Sequence, residues 1–448
     1  MRRVVPATNP MVRSVFPVLV FFLVVIFTGI LEKLPILNGL KIVAILGGMT
    51  LIVVGLSGRL QVILNHPIGK SLAVFAAWFF VCIPFGFWPG GSVQVLQDSF
   101  SKSLLSFLLV AGCIVTIRQS KTIFQTIGYS VGFLSIMALA LRGVDNTGRL
   151  GLIGTRYENA NDFAWTLILG FTFLIFLILR GSRSQKVISV LLSACILLAL
   201  VKTGSRSGMI GLGMLVLVGF FQSPRAVRIK MALVVPILLA VLYVLAPAGL
   251  RGRYTTLFGS GEDYSGRYLE GETKLRAAAT DSANTRFRLL IDGIYLTLRH
   301  PVLGVGPGNF MPAQNELAIA RGEWRGEWRV THDTYAQISS EMGIPGLAIY
   351  LVFLYRCFKS LNSIVRSTYS GKDWEDLRAL AKSLRTSFIV VLTLAFFDSY
   401  GYDANILILA GLACSLSLIA QQQRALLTAP RQVSLTPEVL AEPALAQS

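Results

Sequence analysis

Apolar residues fall in blocks along this chain rather than alternating with polar ones. Stretches near residues 15–31, 38–56, 71–88, 102–117, 122–141, 161–179, 187–201, 208–221, 229–246, 334–357, 384–398 and 404–420 approach the length that a helix needs to cross about 30 Å of hydrocarbon. The blocks at 187–201 and 208–221 are the shortest. Such blocks match neither the period of a half-buried strand nor the narrow stripe of a surface helix. The pattern therefore predicts an all-α polytopic membrane protein with about twelve transmembrane helices. One long hydrophilic interval, 247–333, interrupts the series. It is too long for a structureless connection, and segments 285–298 and 312–319 have helical apolar spacing, which predicts short helices lying on the outer membrane surface. Residues 1–421 then form a single membrane domain, followed by a tail, 422–448, whose Ala, Pro and Gln content reads as disordered.

Composition agrees. The chain is 54% hydrophobic and 14% charged, with mean hydropathy +0.64, against roughly 25% charged residues in soluble domains. The first block lacks a small-x-small cleavage site and resembles those after it, so it reads as a span and not a signal peptide. A net charge of +18 would suggest nucleic acid in a soluble protein. Here twenty-two of the 41 Lys and Arg residues fall in alternate short segments, among them Arg59, Lys70, Arg118, Arg180, Arg225 and Arg356, and only eight in the others. By the positive-inside rule the richer set is cytoplasmic. Both termini are then inside, the interval 247–333 faces outward, and nucleic acid is not the partner. The five cysteines form no CxxC pair and none lies in the long loop, so neither a disulfide framework nor a zinc site is supported.

In that topology the sixth, eighth and tenth spans all present their N-termini to the outer face. Each is preceded by polar residues: GTRYENAND, with Asn161 or Asp162 as cap; KTGSRSG, with Ser205 or Ser207; and VTHDT, with Thr331 or Asp333. Helix N-termini attract anions, and a diphosphate would suit this place. Arg206 can fork onto a phosphate, or it can simply anchor to lipid headgroups. His332 is a candidate general base, since an imidazole can take a proton from a sugar hydroxyl, whereas His66 and His300 each precede a proline in a turn. Asp333 diverges from its neighbour too far to orient it. Gly343 and Gly346 flank Pro345, and this GIPG insert predicts a kink, with His332 on a short interfacial helix before the span. Arg286 and Arg288 precede a stripe of Leu289, Leu290, Ile294 and Leu298 that reads as packing downward, and spacing does not choose between the two arginines. GVGPGN at 304–309 lacks the lysine of a P-loop. The RGEW repeat at 321–328 puts Trp324 and Trp328 either at the lipid interface or against an acceptor.

TGSRSG, TRFRLLIDGIYLTLRHPVLGVGPGNF and THDTYAQISSEMGIPG together resemble the bacterial O-antigen ligase and O-antigen polymerase superfamily, over roughly residues 154–350. That family has an arginine in a TxSR-type outer turn, an arginine about fifteen residues before an HPLLGVG-like segment, and a histidine opening H-N/D-x(9)-G-x-x-G. The resemblance places these on Arg206, on Arg286 rather than Arg288, and on His332 with Gly343 and Gly346. Asn161 matches a family segment of the form G-x-F-x-N-P-N, in which Ala160 here replaces the proline. Ser205 belongs to the first motif. What the resemblance implies is an inverting, metal-independent transferase with no cofactor and a C-type glycosyltransferase-like membrane fold. His332 would be its base, Arg206 and Arg286 would hold the donor diphosphate, and Asn161, Ser205, Gly343 and Gly346 would support them.

The implied donor is an undecaprenyl-diphosphate-linked glycan, and the implied acceptor is a glycan or lipid A-core hydroxyl. The implied setting is the outer face of the bacterial inner membrane, in contact with membrane lipids. Protein O-oligosaccharyl transfer is an alternative acceptor choice. A non-enzymatic flippase or transporter of lipid-linked glycan would instead place ionisable residues at mid-membrane, where these spans carry almost none.

Overall fold

A computed structural model describes residues 10–34, 42–141, 143–144, 148–255 and 270–428. Among them lie seventeen α-helices and no β-strand, with one isolated antiparallel bridge between Val144 and Leu150. The N-terminal part comprises α1 (Pro10–Thr28), α2 (Ile42–Leu56), α3 (Arg59–Asn65), α4 (Pro67–Cys82), α5 (Pro89–Val95), α6 (Ser101–Cys113) and α7 (Ile117–Leu141). The middle part comprises α8 (Ala160–Arg180), α9 (Arg183–Lys202), α10 (Arg206–Gln222), α11 (Arg225–Leu245) and α12 (Ala248–Thr255). The remainder comprises α13 (Glu270–Arg299), α14 (Phe310–Ala320), α15 (Thr334–Val365), α16 (Lys372–Leu394) and α17 (Ala404–Thr428).

Each apolar block coincides with a helix over most of its length. That outcome has a physical cause, because in hydrocarbon only a helix satisfies the backbone of a single segment internally. Seven helices, α1, α7, α8, α9, α11, α15 and α17, are long and apolar enough to cross a membrane, or eight if α2 and α3, bent by 83°, count as one broken span. The chain is a multi-pass membrane protein. Helices α4 and α10 are shorter apolar segments, and α16 opens on charged residues.

Helix α17 forms the centre, packed on α6, α15 and α16, while α8 packs against α7, α9, α10 and α16. At the end of α6 the carbonyls of Ala111 and Gly112 have no helical partner. The buried Arg59 guanidinium reaches both at 3.3 Å, which satisfies groups that would otherwise be costly to bury. His66 has a structural role: it caps α4 at Ile68 N–H, and its Nε2 lies 2.9 Å from Ser417 Oγ.

The long interval departs from the sequence reading in two ways. The segment expected as a short helix at 285–298 is the end of α13, thirty residues long, and α14 covers 312–319. On α13, Leu289 is buried, but Ile294 and Leu298 are exposed, together with Phe287 and Ile291. The inward face is instead partly polar, with Thr285, Asp292 and Thr297 buried, because α13 lies on the polar entrance of α15. The last helix, α17, continues to Thr428, past the expected boundary at 421; residues 429–448 lie outside the described ones.

Candidate functional site

Three helix N-termini meet on one face. Asn161, in the first turn of α8, accepts hydrogen bonds from Arg149 Nη2 (2.7 Å) and Ser205 Oγ (3.1 Å), so one side-chain oxygen ties the start of α8 to the start of α10. Ser205 caps α10 at Gly208 N–H, and Asp333 caps α15 at Ala336 N–H (2.7 Å). Burial raises the Asp333 carboxyl above its ordinary range, and bonds from the Ala336 and Tyr335 N–H groups offset part of that rise. The cap of α8 is neither Asn161 nor Asp162. It is Asn159, whose side chain accepts from Asn161 N–H at 2.9 Å. Asn161 and Asp162 already belong to the helix, which turns their side chains toward neighbouring elements.

The entrance of α15 is bolted to the connection between α16 and α17. Thr334 N–H donates to Ala395 O (2.8 Å), Thr334 Oγ1 donates to Asp398 O (2.8 Å), and Thr331 Oγ1 lies 2.8 Å from Ser399 Oγ. His332 stands before the helix, not on a short interfacial helix as the sequence suggested. Its backbone is left-handed, with φ 53°, a conformation that costs a non-glycine residue about 1 kcal/mol or more and tends to persist at functional positions. Its Nδ1 lies 3.2 Å from Asp398 Oδ1. Asp398, sixty-six residues further along, is the orienting partner that the sequence reading did not find. Its Oδ2 is 3.4 Å from the Tyr400 hydroxyl, which donates to Asp162 Oδ1 at 2.9 Å. Burial, with the nearby Asp398 and Asp162 charges, pushes the Tyr400 hydroxyl well above its ordinary range.

Arg286 joins the same connection by donating from Nη1 to Phe397 O (3.2 Å). Arg288 points elsewhere and pairs with Glu327 and, at 3.9 Å, with Glu323. The acids of the RGEW repeat thus hold Arg288, while Trp324 and Trp328 stand exposed. Arg206, half-buried at the start of α10, lies within electrostatic reach of Arg286 and Arg253. Arg253 is buried on α12, with Nε 3.4 Å from Gly204 O. It is a third guanidinium of this group that sequence spacing gave no reason to select. Arg206 at the N-terminus of α10, with Arg253 and Arg286 within its electrostatic reach, makes a strongly anion-attracting surface.

Gly343 and Gly346 are joints. Gly343 (φ 72°, ψ −178°) breaks α15 at the expected kink. The break exposes the Ser340 and Glu341 carbonyls, which accept from Val305 N–H (2.8 Å) and Gly306 N–H (2.9 Å), and Ile344 N–H donates to Pro301 O (2.8 Å). A side chain at Gly343 would strike Val302, and one at Gly304 (φ 67°) would strike Glu341. The glycines of HPVLGVG and GIPG are therefore two halves of one close backbone contact. Gly346 gives the Trp78 indole room to donate to Met342 O at 2.9 Å.

Beside the His332–Asp398 pair lies a cavity of about 410 Å³, whose lining includes Asp162, Trp165, Glu341, Tyr400 and Asp403.

Two comparisons bear on identity. No curated protein matches the chain. Residues 188–351 match the family model described as O-antigen ligase, an interval that carries Arg206, Arg253, Arg286, His332 and both glycine joints. The family's work is glycan transfer in the synthesis of envelope polysaccharide, with a lipid-linked glycan and a glycan acceptor as its substrates. Over that interval, more than a third of its length, the chain is similar to the O-antigen ligase family.

Proposed function

We propose that the protein transfers a glycan from an undecaprenyl-diphosphate-linked donor to an acceptor hydroxyl at the outer face of the bacterial inner membrane. The observation that carries this reading is the arrangement around residues 397–400. One carbonyl there receives Arg286, one carboxylate holds His332, and Arg206 lies within electrostatic reach of both Arg286 and Arg253. The donor diphosphate sits against the guanidiniums and the N-termini of α8, α10 and α15. They neutralise the charge that develops as it leaves, so the mechanism asks nothing of a metal ion.

Asp398 accepts from His332 Nδ1–H, which leaves Nε2 with the lone pair. That nitrogen takes the proton of the acceptor hydroxyl. The acceptor oxygen bonds to the anomeric carbon as the carbon–oxygen bond to the diphosphate breaks, and direct displacement inverts the centre. Asn161 and Ser205 keep α8 and α10 in register beneath the diphosphate, and Gly343 and Gly346 hold the loop against α15.

In this reading twelve segments pass through the membrane and both termini are cytoplasmic. The distribution of charge supports it: Lys121 pairs with Asp376 (2.6 Å), Arg385 bonds Asn362 (2.8 Å) and Arg424 lies over Trp374, all among residues of the segments assigned inward. The exposed Phe287, Ile291, Ile294 and Leu298 of α13 then rest against lipid.

The test is deletion of the gene, with surface glycan and lipid A-linked glycan compared on one gel. Loss of long chains with a single repeat retained identifies a polymerase. Accumulated lipid-linked polymer identifies a ligase. Unchanged glycan in both fractions refutes the reading.

A further inference from the structure

We infer that the cavity beside the His332–Asp398 pair is the subsite for the sugar ring that carries the attacking hydroxyl; this rests on the transferase reading above. The cavity starts one residue from each member of the pair, since Thr331 and Ser399 both line it. Its size falls within the roughly 300–1,000 Å³ of small-molecule sites. Its chemistry is the reverse of the arginine cluster's. Carboxylates of Asp162, Glu341 and Asp403 line it. The one guanidinium in its wall, Arg156, is engaged by Glu32 at 2.6 Å. None of Arg206, Arg253 and Arg286 reaches its lining. A diphosphate finds none of the clustered guanidiniums there to neutralise it, whereas a neutral polyol is suited. Sugar hydroxyls donate to carboxylates, and the C–H face of a ring packs on an aromatic surface. That surface is present: Trp165 and Tyr400 meet with centroids 3.9 Å apart.

An independent observation concerns unmet hydrogen bonding. Trp165 is 3% exposed, and its indole Nε1–H has no hydrogen-bond partner. A buried donor left unpaired is costly, and here the residue that carries it lines the cavity. A sugar oxygen accepting from it removes that cost only when the subsite is filled. Asp403 is held by Asn405 N–H at 2.7 Å, and burial raises its carboxyl above the ordinary range.

The experiment uses the full-length protein in proteoliposomes, with lipid-linked glycan extracted from the source cells as donor and their lipid-free surface oligosaccharide as acceptor. Trp165→Phe keeps a ring and removes the donor. Asp403→Asn keeps the cap on α17 and removes the negative charge. Each variant should raise the acceptor KM by about tenfold, the weight of one buried hydrogen bond, while the donor KM moves less than about twofold. Calorimetric binding of the oligosaccharide, which needs no turnover, should show the same loss of about tenfold. A rise confined to the donor KM overturns the assignment to the acceptor, and unchanged acceptor KM and Kd in both variants overturn the subsite altogether. Wild-type protein that binds the oligosaccharide with variant-sensitive affinity, yet transfers no glycan, supports the subsite and refutes the transferase reading alone.

Discussion

Helices α8 and α11 are each 21 residues long, and 18-residue stretches of the two have the same hydropathy, 2.2, yet 72% of the residues in one stretch and 6% in the other are buried inside the protein. The difference lies in their surroundings. Helix α8 carries Asn161, Asp162, Trp165, Thr166 and Thr172 and packs on four neighbours, and its start meets the candidate site. Helix α11 is almost uniformly aliphatic beyond its basic first turn, and most of its surface is left for lipid. In lipid, apolar surface gains little by leaving one hydrocarbon phase for another, so close packing and polar contacts decide which spans associate. A span's hydropathy reports that it can cross the membrane; its small and polar residues report whether it belongs to the working centre.

Six substitutions put this contrast to the test. The largest effect is expected at the polar helix ends: Arg206→Ala, Arg286→Ala or His332→Ala should each lower glycan transfer by roughly 10²–10³-fold. Protein amount and elution in size-exclusion chromatography should stay unchanged; wild-type transfer by any of them removes that residue from the mechanism.

Next comes Gly170 in α8, where an added Cβ would overlap the side chain of Val131 on α7. Gly170→Leu should cost about 3 kcal/mol of packing, read as a lowered midpoint of thermal unfolding in detergent. A midpoint that does not move would show that the close contact of α7 and α8 is not needed.

Asp398→Asn preserves shape but weakens the hold on His332. It should reduce kcat by roughly 10- to 100-fold with little change in donor KM. A rise in donor KM at constant kcat would instead place Asp398 with the diphosphate.

The smallest effect belongs to α11. Leu233, 66% exposed, replaced by alanine should shift stability by less than about 0.5 kcal/mol. A shift of several kcal/mol in the same thermal assay would reveal a partner covering that face.

Much of this architecture was legible in the linear pattern. The apolar blocks located the helices, because the bilayer dictates both length and composition. The caps of α10 and α15 were narrowed to two residues each, Ser205 or Ser207 and Thr331 or Asp333, because capping is local, one side chain reaching an N–H a few residues on. The GIPG kink was readable because it follows from backbone geometry at glycine and proline. The cap of α8 was misplaced by two or three residues, since ENAND offers several suitable side chains in a row and only the local backbone chooses among them.

What only the folded chain decided is which distant groups share a surface. Nothing local to FFDSYGYDAN marks Asp398 as the partner of His332, although its place in a short connection on the same face was a usable hint. Nor does spacing separate Arg286 from Arg288 or select Arg253; the contacts of α13 with α15 and of α12 with α13 do. Length and hydropathy are set by the solvent that each segment meets, so one segment suffices to read them. A hydrogen bond between side chains sixty-six residues apart depends on the positions of all the helices between them, and the packed bundle alone supplies those.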